Sequence, residues 1–212
     1  MYFIEPEDNF PPVAIADEDG FLAVSKTLNV SQLKRAYLSG IFPWYSEGQP
    51  VLWWSPDPRM VLFPEDLKIS KSMKPYLNQN KFQVSFNTAF EKVIDACGKV
   101  NRKGQDGTWI TQAIKANYLE LHKEGWVHSV EVWDDKELVG GLYGIYLKEK
   151  QIFCGESMFS KKSNASKFGF IKMVEKLKQE QVRLIDCQVF TKHLESLGAK
   201  EIPREQFLEF LK

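Results

Sequence analysis

Long apolar runs are absent from this chain of 212 residues. No segment approaches the ~20 apolar residues that a membrane-spanning helix needs. The first residues, MYFIEPEDNFPP, also lack the basic start and the apolar centre of a signal peptide. The sequence therefore predicts a soluble, cytoplasmic protein that has no membrane partner.

Cysteine is scarce, and net charge is absent. Cys97, Cys154 and Cys187 are odd in number and each lies in an apolar run, which is typical of buried, reduced thiols rather than of a disulfide framework. The 28 basic and 28 acidic residues cancel, so the chain has no overall field that would attract polyanions. Any contact with nucleic acid must therefore come from a local patch.

Recognisable metal and nucleotide motifs are missing as well. His122, His128 and His193 have no ligand spacing with one another or with a cysteine pair, which argues against a zinc site. The chain has no GxxxxGKS or GxxxxGKT loop and no G-x-S-x-G elbow, and VGGLYG does not fit the dinucleotide-binding glycine pattern. These absences predict that the protein holds neither a metal ion nor a cofactor.

The chain divides into a turn-rich section and a longer section of regular elements. Residues 1–62 contain one expected helix, VSQLKRAYLSG, which Ser31 could cap and Gly40 could end. Residues 63–212 contain the strand FQVSF, an antiparallel meander of HSVEVW, ELVGGLYGIYL and QIFCGESMF, the helix ASKFGFIKMVEKLKQE and the buried strand RLIDCQVF. This order predicts an α+β sheet domain, residues 63–212, behind a small N-terminal α/β domain, residues 1–62.

Two polar residues are expected to cap helices of the larger domain. Asn87 precedes TAFEKVIDAC, whose apolar residues repeat at helical spacing, and Thr111 precedes a helix that runs to His122. A side-chain oxygen in this position accepts a hydrogen bond from a free amide of the first turn. Each residue therefore predicts where its helix begins.

Two strands carry the candidate reactive groups. Side chains alternate along a strand, so Glu156 and Met158 should share a face with Cys154, while Asp186 and Gln188 share a face from which Cys187 points away. If the strands are neighbours, two carboxylates and an amide converge. The alternative is that both acids are ordinary strand-end charges paired with lysines. Against it stands the cost of burying an acid in an apolar strand.

Aromatic rings are concentrated on turn-rich backbone. Residues 40–59, GIFPWYSEGQPVLWWSPDPR, place three tryptophans among four prolines and two glycines. Single rings of this kind usually serve packing, but several rings on loops can stack on exposed nucleobases. Basic residues that could hold phosphates beside such rings, or merely solvate a face, are Lys68, Lys71, Lys74, Lys81, Arg102, Lys103, Lys161 and Lys162.

Eight motifs in this order carry a family resemblance. They are GIFPWYSEGQPVLWWSPDPR, GTWIT, HSVEVW, LVGGLYG, FCGESMFS, NASK, LIDCQV and HLESLGA. From about Gly20 to Phe210 the chain resembles the leucyl/phenylalanyl-tRNA protein transferases. The resemblance implies a larger domain similar to the GNAT acetyltransferase fold. SKKSNASKFGF does not look like the pyrophosphate loop of that fold, so acyl-CoA is a poor candidate donor.

The resemblance also implies an activity. Enzymes of this family move leucine or phenylalanine, and less readily methionine, from aminoacyl-tRNA to the N-terminal amine of proteins that begin with Lys or Arg. This transfer marks the acceptor protein for the bacterial N-end degradation pathway. The expected partners are therefore aminoacyl-tRNA and such acceptor proteins, and we expect the chain to act as a monomer.

Site residues follow from the same resemblance. Trp44 and Trp109, with Tyr37 and Tyr118 nearby, match aromatics that hold the terminal adenosine, whereas Trp53 is assigned with Trp54 to packing between domains. Glu156, Asp186 and Gln188 match the reaction centre. The apolar pocket for the transferred side chain is expected to be lined by Met158, Leu142, Phe153, Phe170 and Val189.

A mechanism can be stated for these matches as a hypothesis. The aminoacyl ester is already activated, and an α-amine with a pKa of about 7.7 to 8.0 is partly neutral at physiological pH. Asp186 would accept or orient the amine proton, directly or through Gln188, whose amide would also fix the carbonyl as charge develops. Glu156 would help to hold the cationic side chain or the α-amine of the acceptor.

Two other functions stay open at this point. One is a GNAT-like N-acyltransferase that uses acetyl-CoA. The other is a non-catalytic module that binds peptide or RNA and uses its acidic residues to grip basic termini. Acetylation without tRNA would support the first, and binding without turnover would support the second.

Overall fold

The computed structural model describes residues 2–100 and 108–212. Its strands are β1 Tyr2–Ile4, β2 Phe21–Ser25, β3 Phe42–Pro43, β4 Val51–Trp54, β5 Arg59–Leu62, β6 Gln83–Phe86, β7 Val127–Asp134, β8 Glu137–Leu147, β9 Ile152–Ser160, β10 Leu184–Gln188 and β11 Lys200–Ile202. Its α-helices are α1 Val30–Leu38, α2 Lys74–Asn78, α3 Phe90–Gly98, α4 Gln112–Lys123, α5 Ala165–Gln179, α6 Lys192–Ser196 and α7 Arg204–Glu209. Single 3₁₀ turns lie at Val13–Ile15, Pro64–Asp66 and Lys148–Lys150.

The strands form two sheets. The small sheet has the order β1-β2-β4-β3, and the large sheet has the order β11-β5-β10-β9-β8-β7-β6. In the large sheet β9 and β10 are parallel, and the other neighbouring pairs are antiparallel. The protein therefore has the predicted mixed α+β class.

The predicted meander is present, and a helical crossover follows it. Strands β7, β8 and β9 pair in succession, and α5 then carries the chain over to β10, which lies beside β9. Helix α5 can pack closely on the sheet because Gly169 has no side chain there. An added Cβ would lie 2.7 Å from Val132. This crossover brings the Glu156 and Asp186 strands side by side.

The larger sheet also takes in a strand from the turn-rich section. β5 lies between β10 and β11, although its residues 59–62 fall in the section expected to form the small domain. The predicted boundary at residue 62 stays a prediction, since the pairing of β5 alone does not define a domain. For the site, the important consequence is that Arg59 lies beside β10.

Helix caps were predicted with mixed success. Thr111 caps α4 and accepts a hydrogen bond from the Ile114 amide, as predicted. The prediction for Ser31 was wrong, because the Asn29 side chain accepts from the Gln32 amide and α1 begins at Val30. The prediction for Asn87 was also wrong. Its φ is 60°, and its side chain instead accepts from the Ser129 amide on β7.

The placement of the cysteines agrees with the prediction from the sequence. Cys97, Cys154 and Cys187 are all buried, as predicted. Across residues 2–100 and 108–212, no helix combines the length and the apolar character needed to cross a bilayer. The exposed basic residues include Lys68, Lys71, Lys74, Lys81, Lys161 and Lys162, whereas Arg102 and Lys103 lie outside the described residues.

Candidate active site

A cavity of about 550 Å³ opens beside the carboxyl end of β10. Strands β8, β9 and β10 supply one part of its lining, α5 and α6 another, and the loops that carry Trp44 and Trp109 a third. The lining includes Phe42, Trp44, Trp109, Leu142, Glu156, Met158, Phe170, Met173, Ile185, Cys187, Gln188, Val189, Phe190 and His193. The wall is mainly apolar, with few polar side chains, which is typical of a site for small ligands or ligand ends.

Two β-bulges place the polar side chains at this cavity. Between β8 and β9, Tyr143 pairs with Ser157 and Gly144 with Gly155, so Glu156 has no partner across the ladder. Between β5 and β10, the pairing passes from Asp186 to Gln188 and skips Cys187. Bulges change the direction of side chains and are common beside active sites.

The second bulge overturns the predicted alternation along β10. Ile185, Cys187 and Gln188 line the cavity, whereas Asp186 does not. The physical reason is that Gln188 takes a left-handed backbone conformation with φ of 65°, which turns its side chain to the face used by Cys187. Asp186 and Gln188 therefore lie close in sequence and point to different surroundings.

Glu156 is the centre of a hydrogen-bond network. Its Oε1 accepts from the Tyr37 hydroxyl at 2.8 Å and from Gln188 Nε2 at 2.9 Å. Its Oε2 lies 3.1 Å from the Tyr118 hydroxyl, and the two tyrosine hydroxyl oxygens are 2.5 Å apart. Three side chains from α1, α4 and β10 thus meet at the carboxyl group that β9 carries.

The surroundings of Glu156 favour its neutral form. Burial raises its pKa to about 7, and hydrogen bonds from Tyr37, Tyr118 and Gln188 lower it only in part. The nearby charge of Asp186 raises it further. A carboxyl group with a pKa near 7 beside a cavity is typical of a functional site rather than of a solvated surface.

Asp186 lies in a sealed position and has a cationic partner. Arg59 Nε donates to Asp186 Oδ1 at 2.8 Å, and Arg59 Nη2 donates to Oδ2 at 2.7 Å. Both side chains are 1% exposed. The guanidinium carbon lies 4.9 Å from the centre of the Phe42 ring and 4.7 Å from that of Phe207. This ion pair is closed to the cavity.

Asp186 nevertheless acts on the cavity through the backbone. Its Oδ1 also accepts a hydrogen bond from the backbone N–H of Gln188 at 3.0 Å. This local bond fixes the left-handed turn that directs Gln188 toward Glu156. Arg59, Asp186, Gln188 and Glu156 therefore form a continuous chain of hydrogen bonds.

The four predicted adenosine-binding aromatics separate into two pairs. Trp44 and Trp109 line the cavity. Trp44 is 41% exposed, and Trp109 is 8% exposed. Tyr37 and Tyr118 are almost fully buried and contact Glu156 instead. Only the tryptophans can offer a ring face to a ligand in this conformation.

The tryptophans assigned to packing belong to β4. Trp53 is fully buried, donates from Nε1 to Ser25 Oγ at 2.9 Å and packs edge-on against Phe10. Trp54 donates from Nε1 to the carbonyl oxygen of Trp44 at 2.8 Å. Trp54 thereby fixes the loop on which the exposed Trp44 ring is carried.

The predicted apolar pocket is largely assembled. Met158, Leu142, Phe170 and Val189 line the large cavity, together with Met173 and Phe190, which sequence analysis missed. Phe153 lines a second, smaller cavity of about 120 Å³. Phe153 pairs with Ile185 and so lies on the same face of the sheet, but it is nearer the start of β9 than Glu156 and Met158, which line the large cavity.

Arg59, Phe42 and His193 were not predicted from the sequence as site residues. Arg59 is 127 residues from its partner Asp186, and no local pattern pairs them. His193 lines the cavity from α6, and burial, together with the nearby charge of Lys167, lowers its pKa. The signal available for Arg59 was its place in the motif SPDPR, which follows the aromatic cluster.

An apolar cavity with a perturbed carboxyl group and an oriented amide is the arrangement of an enzyme active site. The family described as leucyl/phenylalanyl-tRNA protein transferase matches residues 61–212, and its N-terminal domain matches residues 26–57. The chain belongs to the leucyl/phenylalanyl-tRNA protein transferase family, which is a family of aminoacyltransferases.

Curated relatives with the same name match this chain over most or all of its length. A protein of Christiangramia forsetii named leucyl/phenylalanyl-tRNA–protein transferase is 72% identical over 211 residues, which cover 100% of both chains. A protein of the same name from Flavobacterium johnsoniae is 55% identical and covers 100% of this chain and 99% of its own. One from Pseudomonas fluorescens is 50% identical over 95% of this chain and 89% of its own.

Solved structures give only distant similarities. L-PGS from Bacillus licheniformis has a TM-score of 0.43 and 9% identity, and the match covers 82% of this chain and 57% of that one. A GCN5-related N-acetyltransferase from Kribbella flavida has a TM-score of 0.37 and 10% identity, with 84% and 63% covered. Similarities at this level carry no argument about function.

Proposed function

We propose that this chain transfers leucine or phenylalanine, and less readily methionine, from aminoacyl-tRNA to the N-terminal amine of proteins that begin with Lys or Arg. Family membership supports the reaction class, and the names of the relatives support the donor. The acceptor residues and the link to N-end degradation in the cytoplasm are part of the proposal. We also expect the chain to act as a monomer.

One observation carries this proposal. The same cavity offers an exposed tryptophan ring at its mouth, an apolar wall and a carboxyl–amide pair. In this proposal Trp44 stacks on a terminal nucleobase, an interaction worth roughly 1 to 3 kcal/mol. The apolar side chains around Phe170 and Leu142 suit a large apolar amino acid. Glu156 and Gln188 then lie where the ester carbonyl and the amine would meet.

Positioning supplies much of the proposed rate. The amine nitrogen forms a bond to the ester carbon, the bond from that carbon to the ribose oxygen breaks, and a proton passes from the amine to the ribose oxygen. Holding the amine and the ester in reactive geometry can contribute about 7 to 11 kcal/mol. No nucleotide hydrolysis is needed, because the ester is the activated species.

Gln188 is the residue proposed to orient both reactants. One hydrogen of its Nε2 is used by Glu156, which leaves the second N–H and the carbonyl oxygen for the cavity. The N–H can stabilise the carbonyl oxygen as charge develops, and the Gln188 oxygen can accept from the attacking amine.

Asp186 is proposed to act indirectly. The two oxygens of Asp186 already accept hydrogen bonds from Arg59 and from the backbone N–H of Gln188. We therefore assign Asp186 to positioning Gln188 rather than to direct contact with the amine. This narrows the hypothesis drawn from the sequence, in which Asp186 could accept the amine proton itself.

The test combines the purified protein, radiolabelled Phe-tRNA and a peptide that begins with Arg. We expect label at the new N-terminus of the peptide and no label on a matched peptide whose amine is acetylated. A Gln188→Ala variant should bind Phe-tRNA but transfer slowly. Acetylation of the same peptide from acetyl-CoA without tRNA, or binding of both substrates without transfer, would contradict the proposal.

A further inference from the structure

Three oxygen-bearing side chains form a closed triangle behind the cavity. The contacts are 2.5 Å between the hydroxyls of Tyr37 and Tyr118, 2.8 Å from Tyr37 to Glu156 Oε1 and 3.1 Å from Tyr118 to Glu156 Oε2. The first contact lies at the short limit of O–H···O hydrogen bonds, the second is close to their usual length, and the third is slightly longer than their usual range. The two shorter contacts each need a hydrogen between their oxygens, and a hydrogen in the third would avoid two facing oxygen lone pairs.

A proton count decides the state of this triangle. Each tyrosine hydroxyl carries one hydrogen, and an ionised carboxylate carries none. Burial raises the pKa of both Tyr37 and Tyr118 well above the usual value, so neither phenol loses its hydrogen near neutral pH. With ionised Glu156, two hydrogens would serve three contacts, and one pair of oxygens would face each other without a hydrogen. A protonated Glu156 supplies the third.

Gln188 indicates which carboxyl oxygen holds the proton. Its Nε2 donates to Glu156 Oε1, which also accepts from Tyr37. Oε1 therefore behaves as the carbonyl oxygen, and Oε2 as the hydroxyl that donates to Tyr118. Tyr118 then donates to Tyr37, which closes the ring with one hydrogen in every contact.

Among the residues that the structure describes, no cation is paired with Glu156. Arg59 is bound to Asp186, whose negative charge disfavours a second one nearby. Burial keeps the Cys154 thiol neutral by raising its pKa, and Tyr143 packs edge-on against Tyr118 with ring centres 5.9 Å apart. His193 lines the same cavity, but burial and the nearby charge of Lys167 lower its pKa, which disfavours its cationic form. Within residues 2–100 and 108–212, Glu156 is in no ion pair, unlike Asp186.

We propose that Glu156 is a protonated carboxylic acid in the free protein, held by Tyr37 and Tyr118 as positioning residues, and that it is the proton donor of the transfer reaction. The second part rests on the proposed function, whereas the first does not. A pKa near 7 suits an acid that must donate at neutral pH.

The donor step balances without any further reactant. The amine nitrogen bonds to the ester carbon, and the bond from that carbon to the ribose oxygen breaks. The Oε2–H of Glu156 leaves its hydrogen bond with Tyr118 and gives its proton to that ribose oxygen. The nitrogen, now carrying an excess proton, returns one to the Glu156 carboxylate. The aminoacyl ester of the tRNA thus becomes an amide, the tRNA leaves with a ribose hydroxyl, and the ring of three hydrogens is restored.

The direct test is infrared difference spectroscopy of the free protein at about pH 6. We expect the difference between wild type and Glu156→Gln to show the carbonyl band of a protonated carboxylic acid, which disappears as the pH rises through about 7. The exposed residue Glu149 is the matched control, and the Glu149→Gln difference should show carboxylate bands instead. Carboxylate bands for Glu156 at this pH would overturn the proposal.

The positioning role has its own spectroscopic signature. Tyr37→Phe removes a donor to the Glu156 carbonyl oxygen, so the acid band should move to higher frequency. Tyr45→Phe is the control, because the Tyr45 hydroxyl bonds to Thr111 at 3.3 Å and does not contact Glu156. An unmoved band in Tyr37→Phe would remove Tyr37 from the ring.

A measurement on the wild-type chain keeps the test independent of folding of the variants. Glutamate labelled with ¹³C at the carboxyl carbon reports its titration by NMR. We expect at least one glutamate to titrate near 7, whereas titration of every glutamate near the ordinary value of about 4.3 would overturn the proposal.

The donor role is tested by transfer in a single turnover. Glu156→Gln can keep the ring, since its amide donates to Tyr118 and accepts from Tyr37, but it cannot release a proton. We expect transfer to slow by about 100-fold or more with Phe-tRNA binding unchanged. An unchanged rate would overturn the donor role. Absence of transfer by wild type would overturn the proposed function and the donor role together, and the infrared band would still test the ring.

Discussion

Glu156 and Asp186 lie on neighbouring strands of one sheet, yet their carboxyl groups have opposite surroundings. Asp186 is sealed behind the cavity and forms two hydrogen bonds with the Arg59 guanidinium. Glu156 lines the cavity and is held by two phenols and an amide. One carboxyl group is paired with a cation, and among the described residues the other has only neutral hydrogen-bond partners.

This difference gives the two neighbouring acids different roles, since one stabilises the fold and the other can change its protonation state. A buried charge with a cation partner is fixed in one state, and removal of either partner is costly. A buried carboxyl group without a cation can gain or lose a proton near neutral pH. The sealed side therefore stabilises the site, and the cavity side is free to change state.

The sealed side should give the largest effect on stability. Arg59→Met leaves Asp186 buried without its cation, and we expect the free energy of unfolding to fall by about 3 to 5 kcal/mol. Urea unfolding followed by circular dichroism measures it. A loss below about 1 kcal/mol would mean that the pair is accessible to water and that the two carboxyl groups do not differ in kind.

The cavity side should give a dependence on pH. The folded pKa of Glu156, about 7, lies above the usual value of 4.5, so the folded protein binds more protons than the unfolded chain between these values. Stability from this group is full below about pH 4.5 and is lost as the pH rises toward 7, by up to about 1.4 kcal/mol per pH unit.

Glu156→Gln removes this titration and keeps the hydrogen bonds. The difference in free energy of unfolding between wild type and this variant should therefore shrink or reverse in favour of the variant as the pH rises from about 4.5 to about 7. Urea unfolding at a series of pH values measures the difference. Parallel pH curves for the two proteins would place the Glu156 pKa near its ordinary value.

The mouth of the cavity should respond in binding rather than in folding. Trp44→Ala removes a ring that is 41% exposed, and we expect Phe-tRNA to bind more weakly by roughly 1 to 3 kcal/mol with little change in melting temperature. Trp109→Ala should also destabilise the fold, because that ring is 8% exposed. Titration of labelled Phe-tRNA distinguishes the two, and equal melting temperatures for both variants would contradict this view.

Loss of an exposed ion pair should give the smallest change in the free energy of unfolding, and it serves as the reference for the buried pair. Lys123 and Glu120 are 2.7 Å apart, and their side chains are 68% and 55% exposed. Lys123→Met should change the free energy of unfolding by at most about 1 kcal/mol, because water screens the pair. The same urea experiment as for Arg59→Met measures it. A loss as large as that of Arg59→Met would show that burial is not what distinguishes the two pairs.

The sequence was sufficient to predict the main elements of residues 63–212 and their order, but not strands β1–β5. Apolar periodicity predicted the meander, helix α5 and strand β10, because each is a local pattern that burial enforces. The cap at Thr111 was predicted because a polar side chain directly before a helical pattern is also a local signal. Ser31 and Asn87 show the limit, since several polar residues near a helix start can compete and tertiary contacts decide among them.

Many of the residues expected at the site do lie together around one cavity, but their arrangement differs from the expected one. Strand alternation placed Asp186 and Gln188 on one face, and the bulge at Cys187 separates them. A bulge depends on pairing between distant strands, which the local sequence does not reveal. For the same reason, the sequence could not show that Arg59 occupies Asp186 or that the tyrosines contact Glu156 instead of lining the cavity.

Met173 lines both the large cavity and the smaller one that Phe153 borders. The partition between the two hollows therefore includes one flexible thioether on α5, away from the strands that bear the polar groups. Shortening this side chain to alanine is expected to merge the hollows into a longer chamber. Preference for ligand size can thus evolve by exchange of a single helix residue while the geometry of bond making stays constant.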